Sequence, residues 1–324
     1  MTTVEIAMRA LTSVPVLAFV LGVVATRMKA DVRLPEALYT SLSIYLLFGI
    51  GLKGGVGLRE AGLGAVLGPA LAALAIGIAM PFLALLLSRW LTRLEPLDRA
   101  ALAAHYGSTS LVTFTAALVF LDLAGVAYEG FVATLLAIME VPAIVIAILL
   151  AHRMRAGAGT GPVRQSEALR EVVTSRSIVL LVGGLIVGAI AGPVGYEPVQ
   201  PFFGGLFQGA LALFLLEMGA VVGRRLPDLR HAGAGLVSFA LVMPFLGGAL
   251  GAAAGTLVGL SVGGATVLAV LTASASYIAA PAAVRLAIPE ANPAFYLTAS
   301  LGITFPVNLT VGIPVYYALA SALG

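Results

Sequence analysis

The chain has 324 residues, of which 60% are hydrophobic and only 10% charged, and its mean hydropathy is +1.07. Soluble domains run at about half apolar and about a quarter charged, so this composition specifies an integral membrane protein. The formal charge of +3 does not point to nucleic acid, because the cations sit at loop ends flanking apolar stretches. Cysteine is absent, which excludes a disulfide framework, an iron–sulfur cluster and any cysteine-ligated metal. The histidines, His105, His152 and His231, are too dispersed for a metal motif.

Crossing a bilayer takes about 20 apolar residues, and ten such spans are expected, at 11–25, 34–52, 63–87, 100–121, 130–150, 178–191, 202–222, 233–257, 265–288 and 294–319. The first is short and follows Arg9, a pattern also found in cleaved signal peptides, but no Ala-x-Ala site leads into a soluble domain. Span two ends at Lys53-Gly54, and span three carries Gly64, Gly68 and Ala72 at helical spacing. Span four contains His105-Tyr106-Gly107-Ser108-Thr109-Ser110, then Thr113 and Thr115. Glycine and clustered hydroxyls weaken a helix locally, because Ser and Thr compete for backbone groups. The same hydroxyls could instead pack helix on helix.

Asp122 and Glu129 flank an outer loop, and span five then carries Glu140-Val141-Pro142. An ionisable group at the middle of a membrane helix costs roughly 2.5 to 3.5 kcal/mol on insertion scales, so Glu140 needs a partner, a proton, a cation or a wet cavity. A structural hydrogen bond is its alternative role. Residues 151–176, rich in Gly, Ala, Pro and charge, read as a flexible linker, with a short amphipathic helix at 166–175. Span seven holds Glu217 near its end, and span eight has Gly247, Gly251, Gly255 and Gly259 every fourth position, a pattern that brings membrane helices into close contact.

Span nine interleaves Thr272, Ser274, Ala275, Ser276 and Tyr277 and is broken by Pro281. Polar, proline-interrupted backbone is tolerated in a membrane mainly where it faces protein or lines a watery cavity. Asn292-Pro293 opens span ten as a sound helix start, with ion binding as the alternative for Asn292.

Fifteen of the 18 Lys and Arg residues fall in loops of one side and three, Arg9, Lys53 and Arg59, on the other. Cations accumulate on the cytoplasmic side, so both termini are expected outside a plasma (inner) membrane. The linker separates two halves, residues 1–150 and 177–324, of five spans each. An odd number per half means that the second half is inserted upside down. Internal similarity agrees: a shift of 164 residues sets Ala127, Phe131, Thr134 and Pro142 on Ala291, Phe295, Thr298 and Pro306, and Glu140 opposite Thr304. A neighbouring shift sets Ser108 and Ser110 on Ser274 and Ser276. Paired breaks in inverted halves point to a transporter's midplane site, where helix N-termini at breaks in spans four and nine would hold a small anion.

Glu140-Val141-Pro142, the Ser-rich run from Ser274, IPEANPAFYLTAS at the start of span ten and the glycine-bearing stretch 46–57 resemble the sodium-dependent bicarbonate transporter family over nearly the whole length. The resemblance implies an all-α fold of ten transmembrane helices in two inverted five-helix repeats, with helices four and nine discontinuous, and a core domain moving against a gate domain. It further implies a homotrimer. Gly107, Ser108, Thr109, Ser110, Ser274, Ala275, Ser276 and Tyr277 would surround the anion, and Glu140, Asn292 and Thr304 the coupling ion, with Glu140 a candidate sodium ligand. No cofactor is implied, and a small PII-like protein is a candidate regulator on the cytoplasmic face. Where the family's cyanobacterial pattern reads Ser-Ser-Ser-Asp-Ile-Ser-Gly-Pro, this chain has Ser274-Ala275-Ser276-Tyr277-Ile278-Ala279-Ala280-Pro281, which leaves open sodium or proton coupling and bicarbonate or another small anion. An anion channel is the rival reading; an intramembrane enzyme lacks a nucleophile–base constellation or a metal-ligand set.

Overall fold

A computed structural model describes residues 11–30, 32–156 and 173–324, together with 5, 8, 9 and 170. The amphipathic helix expected at 166–175 lies largely outside the described residues. The described residues form helices and no strand. In chain order these are α1 (Val14–Arg27), α2 (Glu36–Leu91), α3 (Pro96–Gly107), α4 (Leu111–Ala124), α5 (Val132–Ala156), α6 (Arg176–Tyr196), α7 (Phe207–Arg225), α8 (Gly233–Leu257), α9 (Val262–Ala273), α10 (Ala279–Ala287) and α11 (Pro293–Leu323). The last contains two π-helical stretches, Thr298–Thr304 and Asn308–Gly312.

Among the described residues seven helical segments are long and apolar enough to cross a membrane, α3 and α4 counting together as one, and the apolar helices α1 and α9 fall short. The lower count than the sequence suggests has a geometric reason in α2. At about 1.5 Å rise per residue its 56 residues run about 84 Å, against a hydrocarbon layer of about 30 Å. Gly62 divides it with φ 74° and ψ 159°, a backbone setting that costs a residue with a Cβ dearly. Hence 36–61 and 63–91 are two rods joined at a sharp corner.

Two groups of helices follow. In the first, α1 packs on α7 and the first rod of α2 packs on α6. Both contacts are built on glycine. A Cβ on Gly22 would overlap the Leu216 carbonyl, and one on Gly219 the Phe19 carbonyl. Gly51 and Gly55 meet the carbonyls of Leu181 and Leu185, while Gly184 and Gly188 meet those of Phe48 and Leu52. Backbones approach this closely only where side chains are absent.

In the second group the other rod of α2 packs on α3 and α5, and α8 packs on α9 and α11. Gly247 and Gly251 of α8 face Thr272 of α9, and a Cβ on Gly255 would lie 2.7 Å from the Ala265 Cα. The ladder stops there. Gly259 sits in the turn after α8 at φ 79° with open space around it, and Gly64 and Gly68 likewise touch nothing. These three are not packing residues of the described chain, contrary to the even spacing in the sequence.

Loop contacts mark the two ends of the bundle. At one, the Leu34 N–H donates to Glu217 at 2.8 Å and the Asn292 N–H to Asp98 at 2.8 Å. At the other, Arg59 donates to the Ile190 carbonyl at 2.7 Å, just before α6 kinks at Gly192 (φ 64°, ψ −171°), and Glu129 accepts from the Ser261 N–H at 2.6 Å, at the start of α9.

Candidate substrate site

The chain leaves helical geometry twice in the interior, between α3 and α4 and between α9 and α10. Ser108 ends α3 at φ −92°, ψ 164°, and Ser274 ends α9 at φ −83°, ψ 165°. Both are extended, and the two segments cross in contact. The Ser110 N–H donates to Ser274 Oγ at 2.9 Å, and the Ser276 N–H donates to the His105 carbonyl at 2.8 Å. Each break thereby satisfies backbone groups that the other exposes, as buried polar backbone requires.

Serine supplies the remaining partners. Ser110 caps α4, its Oγ accepting from the Thr113 N–H at 3.2 Å, and Ser276 accepts from the Ala280 N–H at 3.2 Å at the start of α10. Ser108 Oγ donates to the Glu140 carbonyl at 3.2 Å, tying the break to α5. Close packing also fixes the bend. A Cβ on Gly107 would lie 2.6 Å from the Pro81 ring and 2.8 Å from Ala143.

Between the starts of α4 and α10 lies a cavity of about 20 Å³, lined by Thr109, Ser110 and Leu111 on one side and 276–279 on the other, with Glu140 and Ser177. That volume holds about one water. Two helix N-termini therefore face a shared space, and the partial positive charge of each favours an anion there. The Thr109 hydroxyl is buried without a hydrogen-bond partner among the described residues. Glu140 is only 6% exposed, and no Arg or Lys among the described residues forms an ion pair with it. Ser110 Oγ donates to Tyr277 Oη at 3.1 Å, and the Tyr277 ring packs on Phe305 at 5.2 Å.

Of the residues expected around the anion, Thr109, Ser110, Ser276 and Tyr277 line this cavity, while Gly107, Ser108, Ser274 and Ala275 form the supporting turns behind it. Of the three expected at the ion, only Glu140 lines it. Asn292 is exposed and caps α11, its Oδ1 accepting from the Ala294 N–H at 3.0 Å. Thr304 is buried in a different chain of bonds, donating to the Ala240 carbonyl at 2.7 Å and pairing with Tyr106 Oη at 2.7 Å. Of the weaker candidates, Glu217 is held by Arg224 at 3.2 Å and by the Leu34 N–H, and Lys53 lies over the Tyr128 ring at 6.0 Å.

Two residues were not legible as site residues. Asn308, fully buried, donates from Nδ2 to the Ala273 carbonyl at 2.9 Å and accepts from Tyr316 Oη at 2.8 Å, so it closes the end of α9 at the break. A lone Asn inside the apolar run 301–316 was the available signal. Ser177 lines the cavity from α6, where Ser175-Arg176-Ser177 reads only as a helix start.

A family model described as the Na+-dependent bicarbonate transporter superfamily matches residues 15–321. The match covers nearly the whole chain, which belongs to that superfamily. No curated protein matches the chain.

Proposed function

We propose that this member of the superfamily is a secondary transporter that takes up a small anion, bicarbonate first, together with sodium by alternating access. The observation that carries the reading is one cavity on which two helix N-termini, the Thr109 hydroxyl and the Glu140 carboxylate converge, neither side chain having a hydrogen-bond or ion-pair partner among the described residues. The N-termini attract an anion; the carboxylate repels one. A buried charge without a partner costs several kcal/mol, so a cation at Glu140 removes that cost and the repulsion together. Anion and cation then favour each other's binding, which is the thermodynamic content of symport. Sodium would be held by oxygen alone, from Glu140 and the neighbouring hydroxyls.

The ten-span, inverted-repeat architecture belongs to the same proposal. It counts α2 twice, α3 with α4 as one broken span and α9 with α10 as another. Its support is the correspondence of contacts, α1 on α7 matching the first rod of α2 on α6, and the near-identical backbone of Ser108 and Ser274. The α1, α6, α7 and first α2 rods would form the gate, and the remaining helices the moving core.

Reconstituted vesicles loaded with known internal bicarbonate give the test. Labelled bicarbonate uptake at fixed pH should concentrate the label when sodium is imposed outside and fall to background without it. Sodium-independent equilibration down the gradient would instead make the protein a channel, and sodium-driven uptake of a different anion would replace bicarbonate in the reading.

A further inference from the structure

Beside the central cavity lies a larger one of about 200 Å³, walled by Tyr39 and Ser43 of α2, by Ser175, Arg176 and Ser177 at the start of α6, and by the α10 face. Leu111, Ser177, Ile278 and Ala279 line both cavities, so the two are adjoining parts of one space. A third cavity, of about 110 Å³ around Lys53, Asp122 and Tyr128, shares no lining residue with the central one. On that side Phe114 is fully buried one turn beyond Ser110, and a Cβ on Gly57 would overlap the backbone of Gly130. The central cavity therefore continues toward Arg176 and is closed toward Lys53.

We propose that the Ser175–Ser177 corner is a second station for a small oxyanion, occupied when the anion leaves the central cavity; this rests on the transport reading above. Room is the first reason. In this conformation the central cavity, at about 20 Å³, is closed down to about one water and must widen to hold the anion, whereas the larger cavity, at about 200 Å³, accommodates an oxyanion with part of its hydration as it stands. Chemistry is the second. The 21-residue α6 presents the N–H groups of Arg176 and Ser177, which have no intrahelical partner, the third, that of Ile178, being capped by Ser175 Oγ at 3.4 Å. Arg176 is exposed on the cavity wall and forms no ion pair with a described residue. The Ser177 hydroxyl, on a residue only 7% exposed, lines both cavities without a hydrogen bond to any described residue. It stands where an anion would be handed from one station to the next. Among the described residues no Asp or Glu lines the larger cavity, so no carboxylate competes for Arg176 there.

The chain has no cysteine, so Ala282→Cys on the α10 wall reports this cavity alone. With the purified variant in nanodiscs at constant ionic strength, bicarbonate should slow its labelling by an uncharged maleimide. Arg176→Gln should raise the half-protecting concentration at least about fivefold, the loss of a charge-assisted contact at a partly wet site, and Arg176→Lys by less. Protection should persist in Ser276→Leu, which disables the central site. Nitrate serves as a second probe. Nitrate protection that depends on Arg176, in a protein that neither transports nor is protected by bicarbonate, keeps the station and removes the substrate reading. Protection by neither anion overturns the station whatever uptake shows, as does protection unchanged in Arg176→Gln or lost in Ser276→Leu.

Discussion

The α1/α7 and α2/α6 pairs and the crossing of α3–α4 with α9–α10 both bring backbones together, by opposite chemistry. In the former, Gly22, Gly219, Gly51, Gly55, Gly184 and Gly188 remove side chains from unbroken helices, and the contact is dispersion between backbones whose hydrogen bonds are already internal. In the latter, Ser110, Ser274, Ser276 and Asn308 supply bonds to backbone groups that the breaks expose. The first arrangement has one satisfied state and suits a frame. The second leaves the Thr109 hydroxyl without a hydrogen-bond partner among the described residues and sets the Glu140 carboxylate at the same cavity, and suits a site whose occupants change.

That contrast predicts different failures in the two regions. Ser276→Leu should have the largest effect, because it removes the acceptor of the Ala280 N–H and fills a cavity of about 20 Å³. Uptake should drop to vesicle background while size-exclusion profiles stay those of folded protein. Ser110→Leu should behave the same way, and full transport in both variants would remove these serines from the site.

In the frame, Gly55→Leu or Gly188→Leu drives a side chain into the opposing backbone. Overpacking costs about 1 to 3 kcal/mol where neighbours can shift, and carbonyls in facing helices cannot shift far. The yield of folded protein should fall steeply. Gly251→Leu should do likewise against Thr272, whereas Gly64→Leu, at an open position, should leave thermal stability unchanged. Equal losses from Gly55→Leu and Gly64→Leu would mean that the spacing of glycines, not the contact, decides.

Glu140→Gln keeps the shape and removes the charge. Hydrogen bonds to charged groups contribute about 1.5 to 3 kcal/mol, so the half-saturating sodium concentration should rise about tenfold or more, with melting temperature little changed. An unaltered sodium dependence would move the cation elsewhere. The smallest effect is expected of Tyr277→Phe, which deletes one neutral bond from Ser110. Its contribution of about 0.5 to 1.5 kcal/mol corresponds to a few-fold rise in the KM for the anion, measured at saturating sodium.

The sequence by itself determined the membrane class, where most helices run, and where two of them break. Each of these is local chemistry: apolar runs of spanning length and hydroxyls that compete for backbone, whereas Pro281, expected to break span nine, lies in the first turn of α10, where a missing N–H costs little, and the break itself falls at Ser274–Ile278. The placing of Thr109, Ser110, Ser276 and Tyr277 beside one cavity was legible for the same reason, since the residues that interrupt a helix are the ones left beside its exposed N–H groups. Tertiary structure decided where look-alikes are placed. Asn292 and Asn308 are both asparagines of the last span and its start, yet Asn308 donates to the Ala273 carbonyl at the open end of α9 while Asn292 caps the start of α11. Gly64 and Gly251 both stand in four-residue ladders, yet one faces open space and the other faces Thr272. Ser177 became a wall of the cavity only because the start of α6 and the start of α10 meet the same space. In water, hydrophobic period tells the inside of a helix from the outside. In a bilayer the lipid is as apolar as the protein interior, so the period loses that meaning and only the packed fold assigns each face.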